Sequence, residues 1–170
     1  MKKHWPASSS YSKKVPEHGE RGAFKTTPFY KRQEIWHTGV DLYCPAGSKV
    51  VAVEDCEIIN IEQFTGAPES PRWRKTWSIT VKNNSGSVVV YGEIKKPKFK
   101  TGKKIKAGQK IGEIAIVEWA KSTSDKRKRS MLHFELYKKG TKKTVDWWHK
   151  GTKRPSNLLN PTNYLKSIEG

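Results

Sequence analysis

The sequence predicts an all-β fold, an antiparallel β sandwich, from three observations. Apolar and polar residues alternate with period two over Met131 to Tyr137 and again over Val88 to Ile94. No stretch carries a strong helical period. A short phrase, Ala46-Gly47-Ser48-Lys49-Val50, recurs as Ala107-Gly108-Gln109-Lys110-Ile111, and both copies introduce a β segment. Two copies of one small β unit suit a duplicated sandwich.

Residues 1–22 are rich in Ser, Lys and Pro without periodicity, which predicts an irregular basic N-terminal arm ahead of one domain spanning 23–170. Val40 to Tyr43 reads as a short strand that enters a turn at Pro45-Ala46-Gly47. Strands follow at Lys49 to Val53, Glu57 to Ile61 and Thr76 to Val81. Asn83-Asn84-Ser85-Gly86 has the composition of a hairpin turn and leads into Ser87 to Tyr91. Lys110 to Val117 and Met131 to Tyr137 complete the strands, and Pro155 to Leu165 holds a turn or helical turn around Asn160-Pro161.

At 170 residues the chain is long enough for one domain with a core. No apolar run approaches the roughly 20 residues that span a bilayer. Lys2 and Lys3 are not followed by an apolar segment, so no secretory signal peptide is expected. On this ground the chain stays inside its cell, leaves by another route such as lysis, or has been trimmed. The net charge of +18 predicts attraction to a polyanion, whether nucleic acid, anionic wall polymer or lipid. Cys44 and Cys56 are too few for a disulfide scaffold; one bridge between them is an option, and both are read as small, partly buried thiols.

His37, Asp41 and His133 are the residues with the most chemistry in them. Two imidazoles and a carboxylate suffice to hold a catalytic zinc with one position open. Of five histidines, only these two lie in strongly patterned hydrophobic segments. On the Met131 to Tyr137 strand, Leu132, Phe134 and Leu136 face the core, while Met131, His133, Glu135 and Tyr137 face the other way. Taken alone, His133 is better explained as a buried histidine hydrogen-bonded to a neighbour. His37 and Asp41 would be about 13 Å apart on a straight strand, so the chain must bend, and Gly39 can supply the bend. On the preceding strand, straight alternation puts Val89, Tyr91 and Glu93 on one face, and Gly92 leaves room beside Glu93. A carboxylate ending a run of valines needs a metal, a water or a lysine, and Lys95 and Lys96 are close.

His37-Thr38-Gly39-Val40-Asp41-Leu42, followed by Pro45-Ala46-Gly47-Ser48-Lys49-Val50, resembles the lysostaphin-type zinc metallopeptidases. Lys104 to Gly112 is similar to the family's Gly-[Asp/Gln] turn, Leu132-His133-Phe134-Glu135-Leu136 to its histidine strand, and Asn160-Pro161-Thr162 with Tyr164-Leu165 to its ending. The resemblance covers roughly residues 24–165, with the motifs in order. It implies a sandwich of the duplicated hybrid motif type, one Zn2+ on His37, Asp41 and His133, and cleavage of peptide bonds in bacterial peptidoglycan. Two positions depart from the family pattern. Met131 stands where the first histidine of a His-x-His pair is expected, and Glu93 where another histidine is expected. Phe64-Thr65-Gly66-Ala67-Pro68, Tyr91-Gly92-Glu93 and Ser130 to Phe134 also look like a recurring variant branch, which makes Met131 and Glu93 a set.

With both of the family's acid/base histidines replaced, Glu93 is expected to take the proton of the attacking water as general base, as a glutamate does in other zinc peptidases, and Tyr91 is the candidate to stabilise the oxyanion. The partner is then peptidoglycan or an anionic wall polymer, and the protein is expected to be a monomer. The alternative is a zinc-containing module without turnover that binds wall polymer or a protein, with Glu93 in the fourth metal position and Trp147, Trp148 and His149 as a surface. Basic runs at Lys95 to Lys106 and Lys126 to Arg129 raise nucleic acid as a third class. No helix-turn-helix, zinc-finger or RNP pattern accompanies them, and no specific nucleic acid is expected. The Gly108 turn resembles lipoyl and biotinyl half-barrels, but no attachment lysine of their type is present.

Overall fold

In the computed structural model, residues 2–26, 34–66, 74–117 and 130–168 are described. Among the described residues nine strands run in chain order: β1 (Val40–Tyr43), β2 (Lys49–Val51), β3 (Cys56–Thr65), β4 (Thr76–Asn83), β5 (Val88–Ile94), β6 (Lys104–Ile105), β7 (Lys110–Glu113), β8 (Met131–Tyr137) and β9 (Leu158–Leu159). One short helix, α1 (Thr162–Lys166), follows. All the pairings are antiparallel. A seven-stranded sheet has the order β1-β8-β5-β4-β3-β6, with β9 on β8, and β2 pairs with β7 in a second, two-stranded sheet. The two sheets share one core: Val50 and Ile111 are fully buried with Ile79, Val89, Leu132 and Phe134. Gly112 in β7 lies against Ile94 of β5, with space for a Cβ only 3.1 Å from the Ile94 Cδ1.

The repeated phrase is a structural repeat. Ser48 N–H donates to the Pro45 carbonyl at 3.1 Å, and Gln109 N–H donates to the Lys106 carbonyl at 3.0 Å. Gly47 and Gly108 sit at the same position of these two turns, with φ of 85° and 82°, where a side chain would be strained. The turns deliver β2 and β7, which pair with each other, Val50 opposite Gly112.

The expected strands are present, with longer β3 and β4 and shorter β2 and β7. Two-residue strands β6 and β9 are too brief to leave a period in the sequence. The Asn83 to Ser87 turn closes a β4–β5 hairpin, and the segment around Asn160-Pro161 becomes β9 and α1. Cys44 and Cys56 are both buried free thiols, so the optional bridge is not formed. Residues 2–26 carry no strand, yet they are laid along the sheets. Val51 N–H donates to the Pro6 carbonyl at 3.0 Å, Tyr11 N–H to the Tyr43 carbonyl at 2.9 Å, and Ala7 and Val15 are buried in the core. Among the described residues no helix is long and apolar enough to cross a membrane.

Candidate metal centre

β1 and β8 lie side by side, with Asp41 opposite His133 and Tyr43 opposite Met131. Both strands direct these residues to the face opposite Leu132 and Phe134. The chain bends at Gly39 just before β1, as the four-residue spacing of His37 and Asp41 requires. Gly39 is needed there for closeness rather than for a left-handed φ: a Cβ would stand 2.3 Å from the Phe134 carbonyl oxygen. The bend brings His37 Nε2 to 3.2 Å from Asp41 Oδ1 and 3.2 Å from His133 Nδ1, and His133 Nδ1 is 3.0 Å from the same Asp41 oxygen.

The outward-facing nitrogens of both rings are spoken for. His37 Nδ1 lies 2.9 Å from the Ala23 carbonyl, which can only accept, so Nδ1 carries the proton. His133 Nε2 lies 2.9 Å from Glu135 Oε1 and donates to that carboxylate. Glu135 is buried and also accepts from Thr38 Oγ1 at 2.7 Å and from the Tyr137 hydroxyl at 2.6 Å. Tyr137 in turn accepts the Val145 N–H at 2.9 Å. Two imidazole lone pairs and a carboxylate oxygen therefore converge on one point with no donor between them. A proton on one ring relieves this partly; a divalent cation satisfies all three acceptors together. Zinc bonded tetrahedrally at roughly 2.0–2.2 Å holds its donors about 3.3–3.6 Å apart. The observed triangle, 3.0–3.2 Å on its sides, is a few tenths of an ångström tighter. Histidine tautomers fixed by a carboxylate and a backbone carbonyl are the usual support of such a site.

The electrostatics show that a proton competes for the same point. Burial would raise the Asp41 carboxyl, but the His37 and His133 imidazoles outweigh it and hold Asp41 well below the ordinary range. Burial would lower His133, but hydrogen bonds to Asp41 and Glu135 hold it well above the ordinary value.

Glu93 reaches this side of the sheet by a break in β5. The β4–β5 register shifts between Trp77 and Ile79, and Glu93 has φ of 61°, a left-handed conformation that costs a non-glycine residue on the order of 1 kcal/mol or more. Strict alternation, which put Glu93 on the face of Tyr91, fails at this bulge. Burial first, and the Asp41 carboxylate second, push the Glu93 carboxyl up to about 8, with His133 opposing them. Glu93 Oε2 is buried without a hydrogen-bond partner, so Lys95 and Lys96 do not neutralise it. Among the described residues, only His37, Asp41 and His133 form a group whose donor atoms all lie within 4.8 Å of one another; Glu93 stands outside it.

The structure does not bring Tyr91 to the centre. Tyr91 pairs with Phe134 across β5 and β8, sits edge-on to that ring at 5.6 Å, and its hydroxyl accepts the Val53 N–H at 2.9 Å inside the core. Met131 is buried in the wall on the site face. Trp147, Trp148 and His149 divide: Trp147 is 63% exposed and His149 is exposed, whereas Trp148 is buried against Phe24 and Trp36. Ala67, Pro68 and the basic run Lys126 to Arg129 lie outside the described residues.

Several supporting residues were missed from the sequence. The segment around Gly22 to Thr26 clamps both His37 and Asp41. Asp41 N–H donates to the Gly22 carbonyl at 2.8 Å, His37 N–H to the Thr26 carbonyl at 3.0 Å, and Lys25 N–H to the His37 carbonyl at 2.9 Å. Arg21 lies over the Tyr43 ring at 4.5 Å. Phe64 covers one face of His133, ring centroids 5.2 Å apart. The shared face of His133, Glu135 and Tyr137 was the one signal in the sequence that pointed at this support.

A family profile described as peptidase family M23 matches residues 36–146. No curated protein matches by sequence. Among solved structures, the catalytic domain of the antimicrobial peptidase lysostaphin from Staphylococcus simulans aligns with a TM-score of 0.56 and 20% identity, over 85% of this chain and 89% of that one. LytU aligns with a TM-score of 0.58 and 17% identity, over 96% and 91%. A zinc-containing peptidase from Vibrio cholerae aligns with a TM-score of 0.54 and 18% identity, over 80% of this chain but 36% of that one. The chain thus spans about a third of the Vibrio peptidase and most of the lysostaphin catalytic domain.

Proposed function

Because the chain belongs to peptidase family M23, we propose that it is a zinc metallopeptidase that hydrolyses a peptide bond in the stem peptides or cross-bridges of bacterial peptidoglycan. The observation that carries this reading is the convergence of His37 Nε2, His133 Nδ1 and Asp41 Oδ1, with both ring N–H groups turned outward. When bound there, zinc would polarise the scissile carbonyl and acidify the attacking water. The chain's own part is to hold the two tautomers and to receive the proton. Ala23 and Glu135 do the first. Glu93 does the second: it is a buried carboxyl with an unpartnered oxygen, made more basic by burial and by Asp41, with His133 opposing them. Met131 only packs the wall, and Tyr91 has no role in this scheme because its hydroxyl is engaged in the core.

One observation favours a second reading. The orphan oxygen of Glu93 would also serve as a fourth ligand, which would exclude water and leave a structural site in a binding module. Its position outside the tight donor group favours the base over the ligand. Glu93→Gln protein is the test. A variant that keeps zinc and loses muropeptide release supports the base; one that keeps zinc and cleaves as fast as the parent sinks it. A zinc-loaded parent that releases nothing supports the binding module.

A further inference from the structure

The edge of the large sheet farthest from the metal centre is β6, five strand steps and about 24 Å from β1. Between Lys95 and Lys110 the chain has eight lysines and neither aspartate nor glutamate, and all eight lysines are exposed. Three carboxylates face this run: Asp55 at 3.6 Å from Lys106, Glu113 at 3.7 Å from Lys110, and Glu57 opposite Lys104 in the β3–β6 register. Among the described residues, Lys98, Lys100 and Lys103 have no carboxylate within ion-pair distance. A shallow cavity of about 350 Å³ opens here, lined by Phe99, Lys103, Lys104, Ile105, Gln109 and Lys110. Crowding like charges on two short strands and the segments that lead into them disfavours the folded state unless a counter-anion lies over them.

We propose that this lysine edge is a docking surface for a phosphodiester-linked cell-wall polymer, separate from the metal centre. The choice of partner rests on the proposed wall hydrolase; the existence of an anion surface does not. Lysines are point charges that follow a flexible chain of phosphates without the planar fork that reads bases. The large exposed hydrophobic residues among the described ones, Tyr11, Ile116 and Trp147, all lie outside this run. The edge therefore offers nucleic-acid bases no exposed stacking platform and a lipid bilayer no apolar anchor.

The test is equilibrium binding of purified poly(glycerol phosphate) to the full chain as a function of salt. The surface variant carries Lys98, Lys100, Lys103 and Lys104 changed to Gln. A charge-matched control carries Lys138, Lys139, Lys142 and Lys143 changed to Gln, all exposed. The surface variant is expected to bind about tenfold more weakly at moderate salt. Its log–log salt slope should be shallower by about 3, at roughly 0.7 for each phosphate the protein no longer neutralises. The control should stay within about threefold of the parent. Equal losses in both variants, or none in either, overturn the surface. Tighter binding of a single-stranded oligonucleotide than of the polymer, at equal phosphate, overturns the partner. Polymer binding by a parent that cleaves no peptidoglycan would defeat the hydrolase reading while leaving the surface standing.

Discussion

Replacing Glu135 by Gln should weaken zinc binding without unfolding the protein. Glu135 is 3% exposed and accepts three hydrogen bonds, from His133 at 2.9 Å, Thr38 at 2.7 Å and Tyr137 at 2.6 Å. An amide of the same shape keeps one accepting oxygen, and its NH2 can turn to the Tyr137 hydroxyl, which is also an acceptor. The fold therefore survives with a modest loss of stability. The negative charge that makes the His133 ring a more basic donor is gone. Losing such a partner behind a ligand weakens metal binding by roughly 10- to 100-fold, or about 1.4–2.7 kcal/mol. Competition with a chromophoric zinc chelator reads the affinity, and thermal unfolding of the chelated protein reads the fold. A Glu135→Gln protein with the parent's zinc affinity would refute the claim that Glu135 fixes the metal-binding tautomer of His133.

Three further outcomes follow from the same geometry. Gly39→Ala should destabilise the protein by about 3 kcal/mol and lower its zinc content, because the new Cβ meets the Phe134 carbonyl oxygen at 2.3 Å; a midpoint of unfolding equal to the parent's contradicts this. Tyr91→Phe should cost roughly 1–3 kcal/mol of stability, by leaving the buried Val53 N–H unpaired, and should leave zinc affinity unchanged; a loss of affinity would put Tyr91 back in the site. In the metal-free protein, burial and Asp41 push the Glu93 carboxyl up from 4.5 to about 8, against His133. An acid raised on folding contributes fully below its unfolded value and loses that contribution as pH rises through the folded one. Glu93→Gln should therefore gain on the parent between about pH 5 and 9, by at most about 5 kcal/mol. A stability difference flat with pH in chelator would show that Glu93 is not buried beside the cluster.

The His37, Asp41 and His133 cluster and the sheet were legible because strands print a period of two. Leu132, Phe134 and Leu136 had to face one way, so His133 and Glu135 had to face the other, and both are buried as that pattern requires. The duplicated turns were legible because a left-handed position selects glycine, at Gly47 and again at Gly108. The pattern failed where the backbone leaves the ideal strand. Glu93 changes face at a bulge that no residue type announces, and Tyr91 stays with the core as a result. The clamp from Gly22 to Thr26 was illegible for a different reason: it acts through backbone carbonyls, which every residue carries. It straddles the boundary drawn after residue 22, and Gly22, Ala23 and Thr26 together hold His37 and Asp41 in place.

Purified sacculi incubated with the zinc-loaded protein, with new free amino groups counted as peptide bonds open, give the most direct test of a peptidase built on His37, Asp41 and His133. The account predicts release that a chelator abolishes, that added zinc restores, and that fails in Asp41→Ala. A protein carrying one zinc per chain that opens no more amino groups than buffer alone would contradict it.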